Sequence, residues 1–476
     1  MSINLIVILY LLVSLILAAA PLVVRTERAT HLLSGLFVAV QAAAIAAIFH
    51  FGMVDKTILS VFRADTLALI FHMLMLVILV CSMIYSSSYL KSEDISVRSY
   101  KAYYTLLMLL AVAITLVYYS HNVAMTWVFL ELTTICSAGI IYHREFRQSL
   151  EATWKYIFVC STGIAMAYLG ILLLSTVATE GSLDYEAMRN VIAEGNPLYL
   201  KVAFLLIVVG YSCKMEIFPL YTVGVDANYA APAPASAFIS TALVNAGFVS
   251  IMRIYLLYSA TGEVFEWARH ILILIGILSL AVGAMFLRRT NNYKRFLSYS
   301  TVENMGIVAI GMGIGGVALW AAVLHTIFHT FIKSSMFFQV GIVRHIYDSY
   351  SINRIGNYIN INHIGGIGFI LGTLLLLAFP PSPLFISELM VFNGIISGNV
   401  WWLLILVVVL MCVVIYAIWS RTLRLNYHSN QDKLHLSEVN KRLTFLAIML
   451  LVVVIVLGIW MPDMLTEAID NIVKID

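Results

Sequence analysis

Apolar residues run unbroken for about 20 positions at a time along most of this chain, and no other feature constrains its fold as strongly. A hydrocarbon core about 30 Å thick needs roughly 20 apolar residues per helix. A walk along the 476 residues with that window finds fourteen runs, at about 3–24, 30–52, 66–88, 102–120, 122–142, 154–178, 199–222, 230–258, 270–288, 297–314, 317–343, 363–393, 400–421 and 443–461. They are continuous and do not alternate at period two, so they predict helices, not the strands of a barrel. Composition agrees: 62% of residues are hydrophobic and 11% charged, too few charges to cover a soluble surface. The expected fold is an all-α integral membrane protein.

The cations set the direction of the chain. With the first helix starting outside, nineteen of the 28 Lys and Arg residues fall in cytoplasmic connections. These are Arg25, Arg28, Lys91, Arg98, Lys101, Arg144, Arg147, Lys155, Arg288, Arg289, Lys294, Arg295, Arg344, Arg354, Arg421, Arg424, Lys433, Lys441 and Arg442. Six fall on the far side (Lys56, Arg63, Arg189, Lys201, Arg269 and Lys474), and Lys214, Arg253 and Lys333 lie within runs. This bias predicts about fourteen crossings of the cytoplasmic (inner) membrane with both termini on the outer, periplasmic side. An extra or missing crossing would scramble the alternation.

Several function classes drop out. Twenty-eight cations against 25 anions leave no basic stripe for nucleic acid. Cys81, Cys136, Cys160, Cys213 and Cys412 all lie in apolar stretches without a CxxC or a short Cys/His spacing, so no metal or cofactor is expected. The first run lacks a basic leader and a cleavage site and reads as a retained span. No connection is long enough for an inserted soluble domain; the one at 179–198 has the spacing of a short surface helix. The expected division is 1–100 for helices one to three, 101–258 and 259–425 for two five-helix repeats, and 426–476 for the last helix and tail.

Ionisable groups at bilayer depth are costly and tend to face a bundle interior or a hydrated path. Glu131 lies inside the fifth run, Lys214 in the seventh and Glu303 in the tenth. His325, His329 and Lys333 follow one another at i, i+4 and i+8 in the eleventh, which puts three titratable groups on one helix face. Glu388 follows Pro380, Pro381 and Pro383 in the twelfth. Proline next to a charge, at Pro219 after Lys214 and before Glu388, predicts broken seventh and twelfth helices whose freed carbonyls line a polar path. The pairs Glu131/Lys214 and Glu303/Glu388 have nearly the same spacing and are offset by five crossings, an odd number, so two inverted five-helix repeats are expected. A Glu–Lys pair can also be a plain interhelical bridge, and the two histidines taken alone would be ordinary core residues. The set as a whole reads as functional, with Asp226 an open case, while His72, Arg253 and Glu216 read as structural.

Together these residues resemble a family: the antiporter-like, proton-pumping membrane subunits of respiratory complex I, Mrp cation/proton antiporters and membrane-bound hydrogenases, most of all the hydrogenase-4 component F type. The resemblance spans roughly 65–425. It rests on Trp127-x-x-x-Glu131, Ser149 to Tyr156, Lys214 to Pro219 with Asp226 and Ala231-Pro232-Ala233-Pro234, Lys294 to Gly306, His325-x-x-x-His329-x-x-x-Lys333, and Pro380-Pro381 to Glu388. It implies that Glu131 and Lys214 form an ion pair, that His325, His329 and Lys333 relay protons, and that Glu388 is the exit group. Implied partners are the other membrane subunits of a hydrogenase or complex I-like assembly, further antiporter-like subunits among them, a peripheral redox arm acting indirectly, lipid, and protons or sodium. Where the family reads His-Thr-Trp-Leu-Pro-Asp-Ala-His, this chain has Tyr221 to Asn228 without either histidine, and Asn245 stands where complex I pumps often carry a lysine. The short C-terminus is expected to exclude the subunit type with a long lateral helix. Rival readings are a sodium/proton antiporter subunit and a structural subunit that does not pump.

Overall fold

The computed structural model describes residues 3–93, 95–144, 147–178, 181–428 and 437–474. Lys433, one of the orienting cations, lies outside the described residues. In chain order the helices are α1 Ile3–Ala19, α2 Glu27–His50, α3 Thr66–Tyr89, α4 Val97–Tyr119, α5 Val123–Ile141, α6 Arg147–Ser175, α7 Tyr185–Val191, α8 Pro197–Met215, α9 Thr222–Ala230, α10 Ala233–Phe238 and α11 Val244–Tyr258. They continue as α12 Glu263–Arg289, α13 Tyr293–Ile314, α14 Val317–Tyr347, α15 Tyr358–Ile361, α16 His363–Leu376, α17 Pro383–Ser397, α18 Trp401–Tyr427, α19 Lys441–Ile459 and α20 Asp463–Val473. A small hairpin, β1 Thr57–Ile58 with β2 Phe62–Arg63, pairs Thr57 with Arg63 and Ile58 with Phe62.

Twelve helices among the described residues are long and apolar enough to cross a membrane. Two of the fourteen expected runs are not among them. One is α13, whose apolar character is diluted by Lys294, Arg295, Glu303 and Asn304. The other, the run over 363–393 expected as a broken helix, is divided into α16 and α17 around Pro380 and Pro381, and neither piece alone is long enough. The seventh run, expected to reach residue 222, ends at Met215, where the chain turns through Glu216 at φ 57° before α9 begins. Between α10 and α11 the backbone loosens into one π-helical turn, Ile239–Leu243.

The chain forms two compact units: one runs through Met215 and takes in Ala230–Ala268, and the other joins Glu216–Tyr229 to Arg269–Lys474. In the first, α6 and α8 cross on small residues. A Cβ on Gly210 would lie 2.4 Å from the Gly163 carbonyl oxygen, and one on Gly170 would lie 2.7 Å from that of Ala203. Close backbone approach of this kind is how helices associate where lipid removes the hydrophobic drive. Arg253 on α11 donates to both carboxylate oxygens of Asp65, at 2.7 and 3.2 Å, and to the Tyr118 carbonyl at 2.6 Å. Asp65 also caps α3 by accepting from the Ala68 amide. His72 contacts Tyr119 and Gln41 at 2.9 and 3.2 Å. Both Arg253 and His72 thus sit in bonded networks that suit a structural role.

Connections expected on one face of the membrane meet one another. In the first unit His121 donates its amide to the Val61 carbonyl, Val123 to that of Leu183, and Tyr185 to that of His121. His121, in this loop layer, has its pKa lowered by burial and by the nearby Arg253 and Arg63, against the opposing pull of Asp184 and Glu186. At the other end of this unit Lys101 donates to the Val24 carbonyl, which joins two expected cytoplasmic connections.

In the second unit α14 is buried along most of its length and packs against α13, α16, α17 and α19. Its neighbour α13 starts at Asn292, whose side chain accepts from the Lys294 and Arg295 amides. A Cβ on Gly276 would lie 2.6 Å from the Gly306 carbonyl oxygen, and one on Gly283 would lie 2.6 Å from the Glu303 side chain, so α12 seats α13 through missing side chains. Next to them Val225, Val282 and Val302 form a small core with Phe218, Tyr221 and the stacked Phe286 and Tyr299.

Candidate functional site

The buried ionisable residues singled out by the sequence fall in both units. In the first, Lys214 lies on the last turn of α8 with its side chain buried, one residue before the helix stops. Its ammonium donates to Thr134 Oγ1 at 2.8 Å and to the Tyr156 hydroxyl at 3.4 Å, and it stands 5.5 Å from the centre of the Tyr156 ring. Thr134 in turn donates to Glu131 Oε2 at 3.1 Å, and Ser161 donates to Oε1 at 2.7 Å. The expected Glu131–Lys214 ion pair is therefore indirect. Thr134, one helical turn beyond Glu131 on the same face of α5, occupies the space between the charges. Glu131 is half-buried, beside the exposed Val128 and Ile135.

Gly247 on α11 fixes the position of Lys214 from the other side, since a Cβ there would lie 2.4 Å from the Met215 amide nitrogen and 2.6 Å from the Lys214 carbonyl carbon. Asn245 lies two residues earlier, buried at the start of α11 just after the π turn. It and Lys214 belong to the same unit, and the first unit brings Glu131, Thr134, Tyr156, Ser161 and Lys214 together.

In the second unit the buried groups line up across three helices. Asn304 on α13 donates to Glu303 Oε2 at 2.6 Å and to the Ser300 carbonyl at 2.7 Å. Its carbonyl oxygen faces His325 Nε2 at 3.0 Å, and His325 Nδ1 faces Ser387 Oγ on α17 at 2.9 Å. The proton positions follow from the partners. Both amide hydrogens of Asn304 are in use, so its oxygen accepts and His325 Nε2 carries hydrogen. Neutral His325 then needs the Ser387 hydroxyl as a donor at Nδ1, whereas doubly protonated His325 donates there and leaves Ser387 to donate to the Leu384 carbonyl 2.8 Å away. The serine hydroxyl has one setting for each charge state of the histidine.

His329 lies one turn along α14, its ring 6.5 Å from that of His325 and tilted by 18°. Neither of its ring nitrogens has a hydrogen-bond partner among the described residues, although the side chain is fully buried. Lys333, another turn on, donates to Ser300 Oγ and to the Leu297 carbonyl. Glu388 is buried beside Ser387 and within electrostatic reach of Glu303. Asp226 stands apart from this row: on α9 it accepts from Arg295 Nη2 at 3.0 Å, and both partners are partly exposed. The reading of ionisable residues alone missed Thr134, Ser161, Asn304 and Ser387, the neutral side chains that connect the charged ones.

Buried ionisable residues inside a bundle of long apolar helices define a multi-span membrane protein with a polar interior. The chain belongs to the NADH:quinone oxidoreductase/Mrp antiporter transmembrane family, which it matches over residues 120–414. It is 30% identical over 346 residues to the hydrogenase-4 component F homolog of Methylacidiphilum infernorum (isolate V4), an alignment covering 70% of this chain and 72% of that protein. Its fold is similar to a chain of the membrane-bound sulfane sulfur reductase, an archaeal respiratory membrane complex, with a TM-score of 0.85 at 19% identity over 99% of this chain and 97% of that one. A chain of the Mrp complex from Dietzia sp. DQ12-45-1b gives 0.85 at 13% identity, again over 99% and 97%.

Proposed function

We propose that this chain is a proton-translocating, antiporter-like subunit of a multisubunit membrane oxidoreductase of the group 4 hydrogenase or complex I type. Its membrane is the cytoplasmic one and both termini face outward. The observation that carries the reading is the bridge Lys214–Thr134–Glu131. It places a buried ammonium and a carboxylate one hydroxyl apart, so that a single side chain connects the two charges. Lys214 and Glu131 are the charge-carrying pair of the first unit. Within the second unit a proton passes along Lys333, His329 and His325 towards Glu388, with Asn304 and Ser387 holding the donors and acceptors in line. Asp226 and Asn245 are accessory.

The same reading counts α13 and the α16–α17 pair as crossings, for fourteen in all, and treats 101–258 and 259–425 as inverted repeats. One correspondence supports the repeat. The residue before α5 pairs with the loop after α6, Asn122 with Asp184, and the residue before α13 pairs with the loop after α14, Asn292 with Ser351. Asn122 and Asn292 each cap the helix that follows by accepting from two of its first amides. The partners of such a subunit are other membrane subunits, further antiporter-like chains among them.

The test is proton uptake by vesicles carrying the whole complex with Glu131→Gln, Lys214→Met or Glu388→Gln. Each should abolish transport and leave the complex assembled. Normal transport in any one of them removes that residue from the mechanism, and transport that requires sodium and ignores a protonophore replaces the proton by sodium.

A further inference from the structure

Glu216 is the residue of the α8–α9 break that a structural role explains least. It is 2% exposed, and its backbone sits at φ 57°, a left-handed conformation that residues with a side chain adopt at some cost and that glycine usually fills at a helix end. Its side chain lies flat on α9: a Cβ on Gly224 would come within 2.3 Å of the carboxyl carbon. Asn228, one turn further along the same face of α9, donates to Glu216 Oε1 at 3.0 Å. Two positions of α9 are thus shaped around one carboxyl group. Asp226 and Arg295 do not compete for it, because they pair with each other. Lys333 on α14 lies within electrostatic reach of both Glu216 and Glu303, and Lys294 on α13 comes close to the same end of α9 by donating to the Tyr229 carbonyl at 3.2 Å.

We propose that Glu216 is the proton-loading group of the second unit, exchanging its proton in the α8–α9 break and controlling by its charge whether Lys333 carries one. In the loading step the O–H bond of the protonated carboxyl breaks and an N–H bond forms at neutral Lys333, leaving a carboxylate and an ammonium, each stabilised by the other. Asn228 holds the carboxylate after transfer, since an amide N–H donates best to the ionised form. The left-handed turn at Glu216 aims the side chain back at α9, and Gly224 leaves the space it occupies. This inference rests on the proton-translocating reading above.

The experiment measures proton uptake and complex assembly in vesicles carrying the whole complex, with wild type and Lys214→Met alongside. Glu216→Gln keeps the shape and the acceptor for Asn228 but cannot carry a proton. It should assemble and lose transport by roughly 100-fold, the scale on which a positioned proton-transfer group acts. Glu216→Asp should keep part of it. Wild-type transport in Glu216→Gln overturns the proposal. If Glu216→Gln fails to assemble, Asn228→Ala decides: losing the donor to the ionised form should move the midpoint of the pH profile of transport up by about one unit, and an unchanged profile overturns the proposal. Normal transport by Lys214→Met would sink the underlying proton-translocating reading instead, whatever Glu216→Gln does.

Discussion

Lys214 and Glu131, buried and half-buried charges on α8 and α5, are joined through the hydroxyl of Thr134, which accepts from the ammonium at 2.8 Å and donates to the carboxylate at 3.1 Å. One hydrogen-bonding side chain therefore sets how strongly the two charges feel each other. Thr134→Val keeps the volume and removes both bonds, and a hydrogen bond to a charged group contributes roughly 1.5–3 kcal/mol. Transport in vesicles should fall by about tenfold or more in Thr134→Val and stay near wild type in Thr134→Ser. Equal rates in both would show that the bridge does not couple the charges.

Ser387 offers a second, separate test. Its hydroxyl can donate to neutral His325 or to the Leu384 carbonyl, but not to both at once. Ser387→Ala removes the partner of Nδ1 in both charge states of His325, the donor to the neutral ring and the acceptor from the doubly protonated one. The expected outcome is a changed pH profile of transport with assembly unchanged; a profile that overlays the wild type would show that this hydroxyl does not follow the histidine.

His143, in the connection after α5, is buried against Tyr103, and burial lowers its pKa to about 4. The unfolded chain binds a proton there near pH 6.5 and the folded chain does not. Between these two values folding excludes a proton, so stability rises with pH across that window and is lost as pH falls, by at most roughly 3 kcal/mol. Thermal unfolding of the purified protein in detergent at pH 7 and pH 4 should therefore show a smaller drop for His143→Gln than for wild type. A drop of the same size would remove His143 from the acid sensitivity.

The Arg253–Asp65 pair is a stability element. Arg253→Met would take the guanidinium from Asp65, which keeps the Ala68 amide, and from the Tyr118 carbonyl, and losing one partner of a largely buried pair costs up to roughly 3 kcal/mol where, as here, one partner keeps some exposure. The melting temperature should fall for Arg253→Met, and Asp65→Asn combined with Arg253→Met should cost less than the two single changes added together.

Packing at the helix crossings carries the last expectation. Gly210→Val would drive a side chain into the Gly163 carbonyl and force α6 from α8, and Gly247→Val would do the same between α11 and the end of α8. Both should reduce the amount of assembled complex in the membrane, whereas Gly35→Ala, where nothing lies within 4 Å of the new Cβ, should leave it unchanged.

The sequence determined by itself that the chain is helical and lies in lipid, because about 20 apolar residues in succession have no other stable use. It also singled out the ionisable residues, since a charge in such a run is costly enough to be conspicuous. It marked the seventh run and the run at 363–393 as broken but did not show that α8 ends at Met215 or that α16 ends at Leu376, because proline marks a break without fixing which side of it the helix stops. Nor did it rank Thr134, Asn304 and Ser387 above the many other hydroxyl and amide residues. Those choices are made by contacts between positions 80 residues apart for Thr134 and Lys214 and 62 apart for His325 and Ser387. Only the tertiary structure decides such pairings, because the close approach of helices at missing side chains determines which polar groups come within hydrogen-bond reach, and a short-range force acts on position in space and not on order along the chain.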